Sequence, residues 1–371
     1  MRRIGSTILL ERARIAAWAA AAGKKESEGP LGLHFDVTFQ DDTLGLKSWE
    51  EAESGLQRAA LERALQKAGR QAADIQALFA GDLLNQDMAS TFGLKDFNVP
   101  FIGQFSACGA MAQTLGLAAL LVDGGGADVA AAVTSSHFCG AERQFRYPLE
   151  YGAQRPPTAQ WTATAAGAVV VERAVPSERA GAAGENASSP LNTVPAQSNV
   201  PTEQNAAGHA LATPAPPPHS LRVRGVTFGR MVDMGVKDAG NMGAAMAPAA
   251  ADTIRIFLKD TGKKLEDFNA VATGDLAAVG SALLLELLPM GPRHIDCGLL
   301  LYDRGRQDVG AGGSGCGCSA AVLCATLLGQ LASGAWHDLL FVGTGAMTSL
   351  TSSQQGMSIP GIAHAVWIGA E

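Results

Sequence analysis

The chain has 371 residues and a formal net charge of −7, from 28 Lys and Arg against 35 Asp and Glu. Only 17% of residues are charged and 47% are apolar, which excludes a mainly disordered protein. The mild acidic excess gives no electrostatic footprint for nucleic acid.

The N-terminus opens Met1-Arg2-Arg3, but Glu11, Arg12 and Arg14 interrupt the following apolar segment before a signal-peptide core is complete. No stretch approaches the roughly 20 apolar residues of a membrane helix. Leu115–Val122 stops at Asp123, and Leu283–Leu288 contains Glu286 and stops at Pro289. Cys108, Cys139, Cys297, Cys316, Cys318 and Cys324 are too scattered for a disulfide framework. Cys316-Gly-Cys318 has one intervening residue, not the two of a zinc knuckle, and no His pair follows it. The expectation is an intracellular chain with reduced thiols, no metal site and no cofactor.

Leu61–Leu83 reads as an amphipathic helix, a Gly cap, a turn and an apolar strand ending in Gly-Asp-Leu. Ile254–Leu276 repeats it without a gap, pairing Leu65 with Leu258, Gly69 with Gly262, Asp74 with Asp267 and Asp82 with Asp275. A second pairing sets Cys108–His137 against Cys318–Met347, matching Leu117 with Leu327, Gly124 with Gly334 and Thr134 with Thr344. Each copy gives a Gly-rich turn, a helix of small residues and an apolar strand, Val129–Val133 and Leu339–Val342. Between the copies, residues 175–220 are rich in Pro, Ala, Ser and Asn without apolar periodicity, as in a flexible surface insertion. The predicted organisation is an N-terminal half (1–174), an insertion (175–220) and a C-terminal half (221–371). Strand–helix alternation in both halves predicts parallel sheets covered by helices. Ligands in such folds sit where strand C-terminal ends meet helix N-termini, so the repeated Gly-Asp-Leu and Cys-containing ends are expected to face one cleft.

Phe105-Ser-Ala-Cys108-Gly-Ala-Met, at the mouth of a helix in a duplicated α/β chain, resembles the thiolase superfamily. That resemblance implies two duplicated α/β halves in a layered αβαβα core, with Cys108 at the position of the nucleophile. Three further segments, SSHFCGAERQFRYPLEYGAQRPPTAQW (135–161), MGAAMAPAAADT (242–253) and QDVGAGGSGCGCSAA (307–321), resemble the stage V sporulation AD family of spore-forming bacteria. Membership would imply binding of dipicolinic acid, free or as its calcium chelate, for uptake into the forespore and release on germination. It would also imply partnership with the other SpoVA membrane proteins, a peripheral place on the cytoplasmic side of the spore inner membrane, and a homodimer.

Condensation through a Cys acyl-enzyme needs two further groups, His with His or His with Asn, to polarise the thioester and steady the enolate. In thiolase-like enzymes they come from a strand end and the Gly-rich turn of the second half. Here those places hold Gly274-Asp275 and Ser314-Gly-Cys316-Gly-Cys318, and His294, His337 and His364 lie in neither motif. Cys108 therefore reads as a vestigial nucleophile, and no catalysis is expected. A flat dianion calls for Arg forks or helix N-termini around an apolar slot. The candidate ligand residues are Cys108, Ser136, His137, Arg143, Arg146, Arg155, Asp275 and Cys316, with Tyr147, Tyr151 and Trp161 beside the arginines. Plainer roles stand beside these: Cys108 as a small buried residue, His137 as a satisfied structural histidine, Asp275 as a turn residue. The arginines could instead pair with Glu142, Glu150 or a dimer partner. Two other functions remain open, an acyltransferase using Cys108 and a scaffold with a vestigial pocket.

Overall fold

The computed structural model describes residues 1–146, 155–174 and 218–371, with the backbone alone for Phe145 and Arg146. The Arg146 side chain, Tyr147, Glu150, Tyr151 and nearly all of the 175–220 segment lie outside the described residues.

The main strands are, in chain order, β1 (Ala13–Ala22), β2 (Ala77–Gly81), β3 (Phe101–Gly103), β4 (Val129–Ser136) and β5 (Ala165–Arg173). They are followed by β6 (Leu221–Phe228), β7 (Ala270–Thr273), β8 (His294–Asp296), β9 (Asp338–Ala346) and β10 (Gly361–Ala370). They join in the order β8-β7-β9-β10-β6-β1-β5-β4-β2-β3. Outward from the central β6–β1 pair, where Leu221 faces Ile15, the two sides repeat one strand order. The sheet is mixed, not purely parallel as the alternation predicts. β2 runs parallel to β3 and β4, and β7 to β8 and β9. However, β5 and β10 return antiparallel alongside β4 and β9, the long strands that precede them in sequence. Every position of β4 is buried, so it reads as a continuous run of small and apolar residues.

Four helices build the layers: α1 (Trp49–Ala68), α2 (Ala110–Asp123), α3 (Met242–Thr261) and α4 (Cys316–Val322). α1 covers β1 and β5 on one outer face, and α3 covers β9 and β10 on another. α2 and α4 lie between the halves: α2 packs on β2 and β4 but also on β9 and β10, and α4 packs on β4 and β5. Their apolar faces meet in one inner core that includes Met111, Leu115, Val226, Cys318 and Phe341. The α1 and α3 layers each have a separate core, one around Leu56 and Leu61, the other around Met246 and Phe257. Among the described residues no helix is long and apolar enough to cross a membrane.

The paired residues of the two copies do the same local work. Gly69 and Gly262 end α1 and α3 with φ of 64° and 69°, and a Cβ at either would meet nothing within 4 Å. The left-handed backbone, not crowding, requires glycine there. Asp74 and Asp267 each accept the backbone N–H three residues earlier, at 2.8 and 2.9 Å.

A buried polar chain fixes the start of the loop after β2. The Gln57 amide donates to the Gly81 carbonyl, Ser90 Oγ and Ser135 Oγ at 3.2, 2.9 and 2.8 Å. Ser90 Oγ in turn donates to Asp82 Oδ2 at 2.6 Å, and Ser135 Oγ to Glu53 Oε1 at 2.9 Å. Glu53 Oε2 and Gln57 Oε1, one helical turn apart, are both buried without a partner. Burial first, then the charges of Asp82 and Glu50, push the Glu53 carboxyl well above the usual carboxylate range. A protonated Glu53 could donate to Gln57 and satisfy both oxygens at once. A carboxyl raised by folding favours the native state fully below its unfolded value, and that contribution is lost as pH rises above it. Glu53→Gln reproduces the neutral form at every pH. Urea unfolding at pH 5 and pH 8 should show the variant gaining more than about 1 kcal/mol on wild type over that interval. A constant difference at the two pH values contradicts a protonated Glu53.

Candidate functional site

The turn before α2 is the centre of the site. Ala107 has φ 45°, a left-handed conformation that is strained for a residue with a side chain, and it presents Cys108 two residues before the first helical position. The turn is closed by Gly109 N–H donating to the Ser106 carbonyl at 2.9 Å. His364, on β10, supports it from behind. Gly229 N–H donates to His364 Nδ1 at 3.2 Å, so the neutral ring carries its proton on Nε2 and donates to Ser106 Oγ at 2.9 Å. Burial lowers the His364 pKa to about 4, in keeping with a neutral ring.

Asp275 meets this turn from the C-terminal half. Its carboxylate is fully buried and accepts from Thr344 Oγ1 at 2.8 Å, from Gly315 N–H at 2.9 Å and from Ser314 Oγ at 3.2 Å. The Cys108 thiol also donates to it. Burial raises the Asp275 pKa, while Gly315, Cys108, Thr344 and Ser314 pull it down. Gly315 has φ 103°, and a Cβ there would lie 2.6 Å from Ser136 Oγ, so the Gly-rich turn closes on Asp275 only with glycine at that position.

Cys108 and Ser314, with their sulfur and oxygen 3.8 Å apart, open onto a cavity of about 440 Å3. Its wall combines the loop after β2 (Leu83–Asp87), Phe105 and Ala107, Gln144, Met242, Ala346 at the end of β9, and Thr348–Thr351 beyond it. Of the six non-glycine residues with positive φ among the described residues, Gln86, Asp87 and Ala107 lie on this wall. Backbone strain of this kind gathers at functional sites. The described lining contains no Lys, Arg or His. Its polar groups are the amides of Asn85, Gln86 and Gln144, the hydroxyls of Ser314, Thr348, Ser349 and Thr351, and the carboxyl of Asp87. Desolvation first, then the charge of Asp82, holds the Asp87 pKa up at about 6.

The other residues singled out from sequence lie off this wall. Ser136 Oγ is fully buried and donates to the Ala163 carbonyl at 2.7 Å. His137 accepts from Gly140 N–H on Nδ1 and donates from Nε2 to the Asp42 carbonyl at 2.6 Å, and burial lowers its pKa. Cys316 Sγ donates to the Ser135 carbonyl at 2.9 Å inside the core, where burial drives its pKa well up. Arg143 pairs with Glu50 and lies over Trp49. Arg155 donates to Glu142 at 2.8 Å and leans over the stacked Phe138–Trp161 pair. Those rings belong to a separate cavity of about 270 Å3 beside Lys25 and Glu26. Thus the structure brings Cys108 and Asp275 together, with Ser136 and Cys316 packed behind the Gly315 turn and off the cavity wall, while His137, Arg143 and Arg155 stand elsewhere. Their partners satisfy each of them, so expecting them in the Cys108 pocket is corrected. The Arg146 side chain is outside the described residues. Asn85, Asp87, Gln144, Thr348, Ser349 and Thr351 were missed from sequence. The usable signal for most of them was position, just past the C-terminal ends of β2 and β9.

His294 lies at the start of β8 and bonds Thr273 Oγ1 at 2.9 Å, and burial lowers its pKa to about 4. Asp296 accepts Leu276 and Ala277 N–H at 2.8 and 2.9 Å, at the start of the helix Ala277–Leu287, and caps the short helix Cys297–Leu300 by accepting Leu299 N–H at 3.2 Å. Neither contacts the Cys108 turn or lines the cavity.

Among solved structures, the chain is similar to cerulenin-bound OleA of Xanthomonas campestris, at 17% identity and TM-score 0.57 over 99% of this chain and 100% of that one. It is also similar to AbyA1, a tetronic acid condensing enzyme, at 15% identity and TM-score 0.56 over 96% of this chain and 99% of that one. At these identities the likeness is one of fold, that of thiolase-like condensing enzymes. The stage V sporulation protein AD of Bacillus subtilis (strain 168) is 40% identical over 351 residues, covering 93% of this chain and 91% of that protein. The family model for stage V sporulation protein AD matches residues 5–184 and 193–369. By both sequence comparisons, this chain is a member of the stage V sporulation protein AD family, built on a thiolase-like fold.

Proposed function

We propose that the chain binds dipicolinic acid, as the free dianion or its calcium chelate, without turning it over. In this reading it serves uptake into the forespore and release on germination, as the peripheral component of the SpoVA membrane complex on the cytoplasmic side of the inner membrane. Family membership supports the sporulation role. A cavity of about 440 Å3 is within the usual range for small-ligand sites and accommodates a single-ring diacid. Amides, hydroxyls and the mouth of α2 offer donors for its carboxylates.

The observation that carries binding over catalysis is the setting of Cys108. Its thiol is bonded to a buried carboxylate, and His294 and His364 are committed to Thr273 and Ser106. No imidazole is placed at the described cavity wall to polarise a thioester or accept a proton. Acyl transfer remains the second reading, because Cys108 opens onto the cavity of a condensing-enzyme fold. A homodimer is supported by β3, which pairs only with β2 among the described strands and exposes Phe101 and Ile102, with Phe105 beside it.

Calorimetric titration with dipicolinate, with and without calcium, should give saturable binding. Cys108→Ala should weaken it and also lower the thermal midpoint, because Asp275 loses a donor, whereas His137→Ala should lower the midpoint through its lost backbone contacts and leave binding intact. No heat at millimolar ligand in either condition favours a scaffold with a vestigial pocket.

Incubation with acyl-CoA followed by intact-mass measurement should leave the chain unmodified. A stoichiometric adduct abolished by Cys108→Ala supports the acyltransferase.

Light scattering should report a dimer for wild type and a monomer for Ile102→Lys. A wild-type monomer removes the edge-pairing proposal.

A further inference from the structure

Gln144 reaches the cavity from an irregular stretch of helix. The short helix Phe138–Ala141 continues as a π-helical turn over Glu142–Arg146. Such turns re-aim side chains and are frequent at functional sites. The neighbouring charges are occupied with other partners: Glu142 with Arg155, and Arg143 with Glu50. Gln144 alone of these lines the cavity.

Its Oε1 accepts the Asn85 backbone N–H at 3.0 Å. A backbone N–H can only donate, so the atom facing it must be the amide oxygen, and the orientation of the side chain is decided by the contact itself. The amide nitrogen is therefore the end left over, and the Asn85 contact does not use its two N–H groups. The hydroxyls of Thr348 and Thr351 can rotate to donate or accept, whereas Ser349 Oγ is tied to Ser352. Gln144 is different, because one end of its amide is already used and the other can only donate. In a wall without Lys, Arg or His, a fixed neutral donor selects for an acceptor such as a carboxylate oxygen.

We propose that Gln144 is a specificity-determining residue of this cavity, donating from its amide nitrogen to a carboxylate of the bound aromatic diacid while its oxygen holds the Leu83–Asp87 rim. This assignment rests on the dipicolinate reading above and deepens it.

Two variants of the full chain separate contact from support. Gln144→Glu keeps an oxygen for Asn85 N–H but replaces the donor with an acceptor. Gln144→Met removes the donor without adding charge. Titrated with dipicolinate, each should lose at least about tenfold in affinity, the scale of one hydrogen bond to a charged group. Gln144→Glu should keep the wild-type thermal midpoint. Full binding by Gln144→Met overturns the assignment, because the donor is then not used. Full binding by Gln144→Glu also overturns it, because rim support is then the only role. Wild type that binds no dipicolinate overturns the function reading itself, and this assignment with it.

Discussion

A carboxylate removed from water must be surrounded by donors, and at Asp275 this requirement organises the whole site. Its oxygens accept from Thr344 on β9, from Ser314 and Gly315 before α4, and from Cys108 before α2. Three separate parts of the chain are thereby held to one point, and the N-terminal turn is tied to the C-terminal half. A hydrogen bond to a charged group contributes about 1.5–3 kcal/mol, and removing one partner of a buried charge costs more than its pairwise worth. The same carboxylate holds the Cys108 thiol at the cavity wall. Behind the turn, His364 supports the Gly229 backbone and the Ser106 hydroxyl.

The strain of the wall is balanced locally. Gln86 and Asp87 are left-handed in sequence, and the loop that carries them is anchored at both ends. Asp82 holds Leu84 N–H and Ser90 N–H at 2.8 Å each, and Gln144 holds Asn85 N–H. The buried Gln57–Ser90–Ser135–Glu53 chain then connects this anchor to α1 and β4. Polar groups that leave no room for alternatives specify a unique arrangement more than they add stability.

Much of the fold was legible in the sequence because its signals are local. The Gly69 and Gly262 caps, the Asp74 and Asp267 turns and the apolar runs of β4 and β9 each follow from short-range backbone requirements. Parallel pairing throughout was not a safe inference, since periodicity says nothing of the direction in which β5 and β10 return. Cys108 and Asp275 meet because both close strand–helix or turn–helix junctions. Ser136, His137 and Cys316 share those junctions, but alternation and helix rotation turn them into the core, and no spacing rule reports which side a residue takes. Of the arginines, Arg155 takes the Glu142 partner that the sequence offers as the plainer alternative. The partner of Arg143 depends on tertiary neighbours, and Glu50 lies 93 residues from it in the chain. Gln144 was hidden because a π-helical turn breaks the periodicity by which its direction could be inferred.

The pairing of β6 with β1 has a mechanical consequence. Because the two halves share one hydrogen-bonded sheet and one inner core, they cannot swing apart about a hinge as two lobes do. The mouth of the cavity is therefore shaped by the rim segments 83–87 and 348–351, which stand on a frame that the shared sheet holds as one piece.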